Sequence, residues 1–584
     1  DWSLHKRLIK RVLAHHDARP GGAWSARGQD KNTGGIWAPV TLRASRKLVV
    51  NHVKVTPRVE ADTRKAIAEV NIDLTVPDQQ SQYVQIKAQL LPANFEGSVG
   101  NVFATTRTLS PGQNTVTLEI PQPNPQLWWT WDHGDPNLYT LRLQFLEGDR
   151  LLDAWETHFG FRTVKWDARA QVFRLNGHRI FLRGTNYIPS QWLSELTPNR
   201  ISQDIDLMQD AYINSVRVHA HITTPTFYDQ ADEAGLLVWQ DFPLQWGYEE
   251  TEAFSAEAIR QGRDMIAQLY NHPSIFAWSL HNEPPWDAFW MADKYDTYNL
   301  DHNRRLDRDL YQGLRSEDPT RYLHPASVVG EHPWWGWYSF TYGRYGEPTD
   351  QPLITEFGAQ ALPNFPSLTR IFDASVLWPE TETDWTEWRY RNFQPHETFN
   401  IAQVPMGDNP EEFIGNTQQY QARLNQYAAE SYRRQHYRPV SAIFQFMFCE
   451  PWPSVNWGMV DYWRDPKSGY FALQQAYQPI LPSIEAPAEP QVVGKSFPVQ
   501  LWAVNDTWEP LSKVTLSYVL KQGDRPLKTA TIPFRLGADD LKLLARLEIT
   551  PDLAGDYTLA ATIQDSQNHR ISQNQYTFTA IPQT

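Results

Sequence analysis

Between residues 167 and 479, short apolar runs alternate with longer amphipathic ones, and this alternation restricts the fold more than any other feature of the 584 residues. RIFLRGTNY, NSVRVHAH, LLVWQDF, SIFAWSL, RYLHPAS, WYSFTYG, PLITEF and VSAIFQFMF read as eight candidate strands. Runs that are apolar on both faces suit a buried parallel sheet. Between them, NRISQDIDLMQDAY sets Ile201, Ile205 and Met208 on one helical face. TPTFYDQADEAG has proline near its start and glycine at its end, the punctuation of a helix. Strand and helix units in this number predict a (β/α)₈ barrel, which carries its chemistry at the C-terminal ends of the strands.

Two of these runs end in a carboxylate. SIFAWSLHNEPPW delivers Glu283, and QPLITEFG delivers Glu356, 73 positions later (356 minus 283). Two carboxylates flanking one glycosidic bond are what sugar hydrolysis needs: one protonates the leaving oxygen, and the other attacks the anomeric carbon or activates water. Glu283 and Glu356 are therefore the candidate catalytic pair, against the alternative that both are structural ion-pair partners. Retention of configuration needs the two about 5–5.5 Å apart and inversion about 6.5–9.5 Å, which a sequence does not measure.

Composition narrows the remaining classes. A net charge of −14 spread over the whole length disfavours nucleic acid, and the short basic run from His5 to Arg11 reads as a solvated face rather than a partner-binding one. No apolar run approaches the ~20 residues of a membrane span, so the chain is expected to be soluble, with cytoplasmic and exported placement both open. Aromatic residues make up 13% of the chain; indole and phenol faces stack on sugars but also fill large cores. Cys449 is the only cysteine, which excludes an internal disulfide and a cysteine metal cluster.

Residues 48–166 alternate apolar and polar positions between turn-like breaks, as in KAIAEVNIDLTV and YTLRLQFLEG, and predict an immunoglobulin-like β-sandwich. Residues 480–584 predict a second one, with Gly555-Asp556-Tyr557 suggesting a tyrosine corner. QPILPSIEAPAEP reads as a proline-rich linker into that domain, and residues 362–415 read as a long loop walling the site. Residues 1–47 are too short for a sandwich of their own.

Asn-Glu-Pro after an apolar strand, followed by Thr-Glu-Phe-Gly at the second carboxylate, resembles the retaining β-glycosidases of glycoside hydrolase family 2. The resemblance implies that Glu283 is the acid/base and Glu356 the nucleophile. It further implies that Asn282 bonds the sugar 2-hydroxyl and that Arg217 orients the nucleophile and keeps it ionised. Asp241, in VWQDF, would bind or orient groups in the site. HPWWGWY stands where relatives carry a tyrosine that bonds the nucleophile; Trp334 or Trp335 takes that place, with Tyr338 as the fallback. Trp452 and Trp457 resemble the family's sugar platform. His219, His221 and His281 reach the same rim as candidates for sugar hydroxyls, without the spacing of a helical zinc motif. Relatives that use magnesium carry Gly-Asn-Glu-Ser where this chain has His-Asn-Glu-Pro, so no cofactor or required metal is expected.

GGIWAPVTL resembles the last strand of the family's N-terminal jelly roll, so the chain is expected to begin inside that domain. GAWSARGQ, with Trp24 and Arg27, stands at a loop that reaches the active site in the β-mannosidase branch, but it lacks that loop's aspartate. VWQDF, ITEFGAQALP and VNWGMVDYW favour β-mannosidase specificity, and no Asn-x-Lys follows Glu356 as it does in β-glucuronidases. The expected activity is that of an exo-acting retaining β-glycosidase with a carbohydrate substrate. β-Galactosidase, β-glucuronidase and exo-β-glucosaminidase specificities remain open, as does a non-catalytic carbohydrate-binding protein on the same scaffold.

Overall fold

The computed structural model describes residues 5–7, 9, 36, 38–45, 47–60, 64–293 and 295–583. Trp24, Arg27 and most of the expected jelly-roll remnant lie outside the described residues.

Seven parallel strands build the central barrel: β1 (Leu182–Tyr187), β2 (Ser215–Val218), β3 (Leu237–Asp241), β4 (Ile275–Ser279), β5 (Tyr322–His324), β6 (Leu353–Ile354) and β7 (Ala442–Gln445). Their order is β5-β4-β3-β2-β1-β7-β6, with every neighbouring pair parallel. Helices follow the strands as the sequence punctuation requires. The helix Pro198–Asp210 is capped by Thr197, whose side chain accepts from the Arg200 amide, and has proline in its first turn. The helix Pro225–Ala234 ends on Gly235 at φ +69°, where an added Cβ would come within 2.7 Å of the Trp131 amide nitrogen.

The sixth candidate strand, WYSFTYG, does not form. Gly336 adopts φ +80° and Phe340 φ +55°, and the Gly336 amide donates to the Ser339 carbonyl at 2.8 Å. Extended backbone does not admit those angles, so Trp337 turns inward and its indole donates to Gln394. The gap between β5 and β6 is filled by a 3₁₀ turn, Val329–Glu331. The Glu331 carbonyl accepts the amides of Thr355 (2.9 Å) and Glu356 (3.3 Å), and its carboxylate meets His324 and the Thr355 hydroxyl, each at 3.2 Å. A meander of Val164–Asp167, Val172–Leu175 and His178–Ile180 closes the opposite end, where Phe173 packs edge-on against Phe276 at 5.1 Å.

β-Sandwiches flank the barrel on both sides in sequence. Strands between Val49 and Phe159 form a three-stranded and a four-stranded sheet, and in Lys65–Val76 alternate residues are buried between them. Strands from Ile480 to Ile581 form a three-stranded and a five-stranded sheet, and the Tyr557 hydroxyl donates to the Leu553 carbonyl at 3.0 Å, closing the tyrosine corner. Part of the expected linker is itself a strand: Ile480–Glu485 pairs antiparallel with Phe497–Asn505. It is an edge strand, the position where a sheet tolerates Pro482. Likewise residues 362–415 are no bare loop; they contain helices Phe365–Ile371 and Glu382–Tyr390 around a small core of Trp388, Phe393 and Phe413.

Buried charges lock the three parts together. Arg183 of β1 bonds Asp132, in the connection between the first sandwich's strands Gly112–Pro123 and Tyr139–Glu147 (2.6 Å), and Asp506 of the second sandwich (2.8 Å). Arg433, from the helix Pro410–Arg434, bonds the same Asp506 oxygen at 2.8 Å. Each charge is satisfied by an opposite one, the condition under which ions are tolerated inside a protein.

Candidate active site

Arg217, at the C-terminal end of β2, organises the rim. Its guanidinium is fully buried and divides its donors among three strand ends. Nη1 donates to Glu356 Oε1 at 2.9 Å, Nη2 to Asn282 Oδ1 at 2.7 Å, and Nε to Asp241 Oδ1 at 3.2 Å. Burial opposes the positive charge, but Asp241 and Glu356 outweigh it and raise the Arg217 pKa. Asp241, at the end of β3, is saturated: Arg217 and the Trp239 indole (3.1 Å) share Oδ1, and the Ala220 amide donates to Oδ2 at 3.0 Å. It therefore orients Arg217 and has no lone pair aimed at a sugar.

Asn282 and Glu283 continue β4 along an irregular path. The Asn282 amide donates to the Leu244 carbonyl and the Glu283 amide to the Ser327 carbonyl, each at 2.9 Å, so neighbouring strand-end loops hold both residues. Glu283 sits at φ +46°, a left-handed conformation that costs a non-glycine residue about 1 kcal/mol or more and is found where the surroundings enforce it. Its carboxylate receives the Trp246 indole N–H on Oε2 at 3.0 Å, and its Oε1 lies 3.1 Å from His332 Nδ1. With Asn282 Oδ1 given to Arg217, its Nδ2 has no partner among the described residues and is the donor left for a ligand.

Glu356, just past β6, is buried at 4% exposure. Besides Arg217, its Oε1 meets His219 Nε2 at 2.8 Å and faces His332 Nε2 at 3.6 Å. One oxygen of each glutamate and one ring nitrogen of His332 lie within 4.8 Å of one another. Hydrogen bonds and charge within the trio account for that closeness, and we assign no metal to it. Burial disfavours the imidazolium of His332, but Glu356 and then Glu283 outweigh it, and the His332 pKa is raised above the usual imidazole range.

The other expected site residues divide by place. Trp457 joins Trp334 and Phe446 in an aromatic wall, with Phe446 5.4 Å from Trp334 and 5.6 Å from Trp457, and Phe446 in turn meets His219 edge-on at 5.2 Å. His281 does not face the pair: Nδ1 bonds Asp307 and Nε2 the Trp246 carbonyl, each at 2.6 Å, so both ring nitrogens are engaged and Nε2 helps to hold Trp246. His221 bonds the His219 carbonyl, and burial pushes its pKa down to about 4, leaving it neutral. Trp335 packs on Tyr345 at 5.2 Å, and Tyr338, 41% exposed, accepts from Gln394 at 3.1 Å; neither meets Glu283 or Glu356 among the described contacts. Trp452 is 1% exposed in a separate cluster with Trp192, Tyr390 and Tyr462.

Two residues that touch the carboxylates were missed by sequence reasoning. His332 opens the HPWWGWY stretch, whose resemblance to relatives lies in the aromatic rings that follow it. Trp246 lies five residues past β3, in a loop whose run beside Asn282 is set by a bridge between Gln245 and Asn282.

Comparison with known proteins places the chain. The family model for glycosyl hydrolases family 2 matches residues 48–162, and that for the family's TIM barrel domain matches residues 167–356, together just over half of the chain. A Formosa agariphila protein provisionally named a beta-glucuronidase is 29% identical over 330 residues, covering 54% of this chain and 38% of its own length. Beta-mannosidase B of Emericella nidulans is 24% identical over 484 residues, 72% of this chain and 56% of its own. The chain thus spans well under two thirds of either relative. Among solved structures, the beta-D-mannosidase of Dictyoglomus thermophilum superposes with a TM-score of 0.79 at 21% identity, over 92% of this chain and 67% of that one, a likeness of fold.

Proposed function

Because the chain belongs to glycosyl hydrolases family 2, we propose that its barrel removes terminal β-linked sugars by double displacement, with Glu356 as nucleophile and Glu283 as acid/base. The observation that carries this reading is the spacing of the two carboxylates. One oxygen of each carboxylate lies within 4.8 Å of one oxygen of the other, nearer the separation of about 5–5.5 Å that retaining enzymes use than the about 6.5–9.5 Å of inverting ones. Glu356 attacks the anomeric carbon, the glycosidic electron pair leaves with the aglycone oxygen, and that oxygen takes the proton of Glu283. In the second step water gives its proton to Glu283, its oxygen bonds the anomeric carbon, and the ester pair returns to Glu356. Arg217 and His219 hold the nucleophile ionised and aimed, and Asn282 Nδ2 is placed to bond the sugar 2-hydroxyl as the transition state forms.

β-Mannosides are the favoured substrates, supported by VWQDF and VNWGMVDYW and by the length of the match to a beta-mannosidase. A β-glucuronide is the second reading, favoured by the Formosa relative. Aryl β-glycosides of mannose, glucuronic acid, galactose and glucosamine, followed by proton NMR, test both together. The expected result is cleavage of the mannoside with the β-anomer appearing first. Glu356→Gln should abolish turnover, and Glu283→Ala should lower it about 10²–10⁴-fold for poor leaving groups and far less for activated ones. Release of the α-anomer first, or unchanged turnover by Glu356→Gln, refutes the assignment.

A further inference from the structure

Among the described contacts, His332 faces both glutamates. Its Nδ1 is 3.1 Å from Glu283 Oε1 and its Nε2 is 3.6 Å from Glu356 Oε1, and the residue is 3% exposed. The ring is held from behind: the His332 amide donates to the Val329 carbonyl at 3.0 Å, in the turn whose Glu331 carbonyl accepts the Glu356 amide. Nε2 is buried with no hydrogen-bond partner at this distance, although it points at a carboxylate. An imidazole can accept at one nitrogen while donating at the other, which no tyrosine or tryptophan does.

Resting on the double-displacement reading above, we propose that His332 is a positioning residue that shares the acid's proton with Glu283 and aims its second N–H at Glu356, so that Glu283 and His332 titrate as one unit. In the resting site the mobile proton lies between Glu283 Oε1 and His332 Nδ1, while Nε2–H faces the nucleophile. Moving the proton from oxygen to nitrogen leaves the total charge unchanged. When Glu283 gives that proton to the departing oxygen, Glu356 becomes a neutral ester and the negative charge facing Nε2 is gone. The ring is then left neutral beside an ionised Glu283, the form that serves as base for water. Hydrolysis of the ester restores the Glu356 carboxylate and leaves the water's proton in the Glu283–His332 unit, resetting the cycle.

The groups around the ring set the sign of this coupling. Glu356 and Glu283 favour a proton on His332, and Arg217, across Glu356, opposes it. Asp287, whose carboxylate holds the Val329 amide, interacts electrostatically with both Glu283 and His332; burial raises its pKa. His219 shares Glu356 Oε1 with Arg217, and Glu331 precedes His332 in the chain.

The test pairs kinetics with a direct titration. In His332→Gln the acid loses its partner and the nucleophile loses a donor. For an alkyl β-glycoside, the basic limb of the kcat/KM profile should fall and the acidic limb rise, narrowing the bell by about one pH unit or more. With an activated aryl glycoside, which needs no acid, the basic limb should not move. A uniform loss of rate with both limbs unmoved would mean a structural role only and overturn the proposal. Independently of turnover, the ring resonances of His332, assigned by their loss in His332→Gln, should titrate above a free imidazole and move down in Glu356→Gln. A midpoint that ignores Glu356→Gln also overturns it. The titration separates the two failures: absence of hydrolysis of any β-glycoside would refute the activity, and an unresponsive ring would refute the coupling.

Discussion

Replacing Trp246 with phenylalanine removes one hydrogen-bond donor from Glu283, the proposed acid, while keeping an aromatic ring against Trp290, which the indole meets edge-on at 5.3 Å. The indole donates to Glu283 Oε2 at 3.0 Å, and the residue is 5% exposed, so little water reaches the vacated position. A hydrogen bond to an ionised group contributes about 1.5–3 kcal/mol and one to a neutral group about 0.5–1.5. The donor therefore favours the ionised carboxylate by on the order of 1 kcal/mol, and one pH unit corresponds to about 1.36 kcal/mol. Its loss makes the shared proton of Glu283 and His332 harder to remove. The basic limb of kcat/KM, measured across pH on an alkyl β-glycoside, should rise by about 0.7–1 unit. That is opposite in sign to the change expected for His332→Gln, because one variant removes a stabiliser of the anion and the other removes a site for the proton. A limb that stays in place or falls would refute the assignment of Trp246 as the donor that tunes the acid.

Arg217→Met should destabilise the barrel by about 3–5 kcal/mol, because it strands the carboxylates of Asp241 and Glu356 without their buried cation; denaturant unfolding checks this, and a loss under about 1 kcal/mol would contradict it. Asp318 predicts an acid-sensitive term. Burial works against its charge, but Arg321, Thr320 and the Trp278 indole outweigh it and lower its pKa to about 2 from an ordinary 3.8. A folded-state value below the unfolded one gives stability that is present above about pH 4 and lost as pH falls toward 2, amounting to about 2 kcal/mol. Asp318→Asn should lower stability at neutral pH and flatten its decline between pH 4 and 2; an unchanged slope there would assign the acid sensitivity elsewhere.

The features legible in the sequence were those with a local period or a local chemical signature. Alternation in KAIAEVNIDLTV placed the first sandwich, and apolar runs ending in glutamate placed β4 and β6 with the two carboxylates. Arg217 was named by its resemblance to the family's arginine at the end of the second strand, and the cost of a buried arginine without a counter-charge pointed to a partner such as Glu356, which the structure supplies. WYSFTYG misled because its aromatic content suits a strand, whereas Gly336 and Phe340 at positive φ turn it back on itself. Pro482 suggested a linker because proline interrupts a sheet interior, and only the strand order reveals the edge that accepts it. His332, Trp246 and the Trp334–Phe446 wall were hidden for a different reason: their roles depend on which loops meet above the barrel, and nothing in their own neighbourhoods records that meeting.

The account stands on Glu356 as a covalent nucleophile. Incubation with a panel of 2-deoxy-2-fluoro-β-glycosyl fluorides, followed by peptide mass spectrometry, tests it most directly, since such sugars slow the second step and let the glycosyl-enzyme accumulate. The account predicts a single sugar adduct on the peptide containing Glu356, strongest with the manno-configured reagent and absent in Glu356→Gln. An adduct on another residue, or no adduct from any sugar in a protein that hydrolyses the parent glycoside, would contradict it.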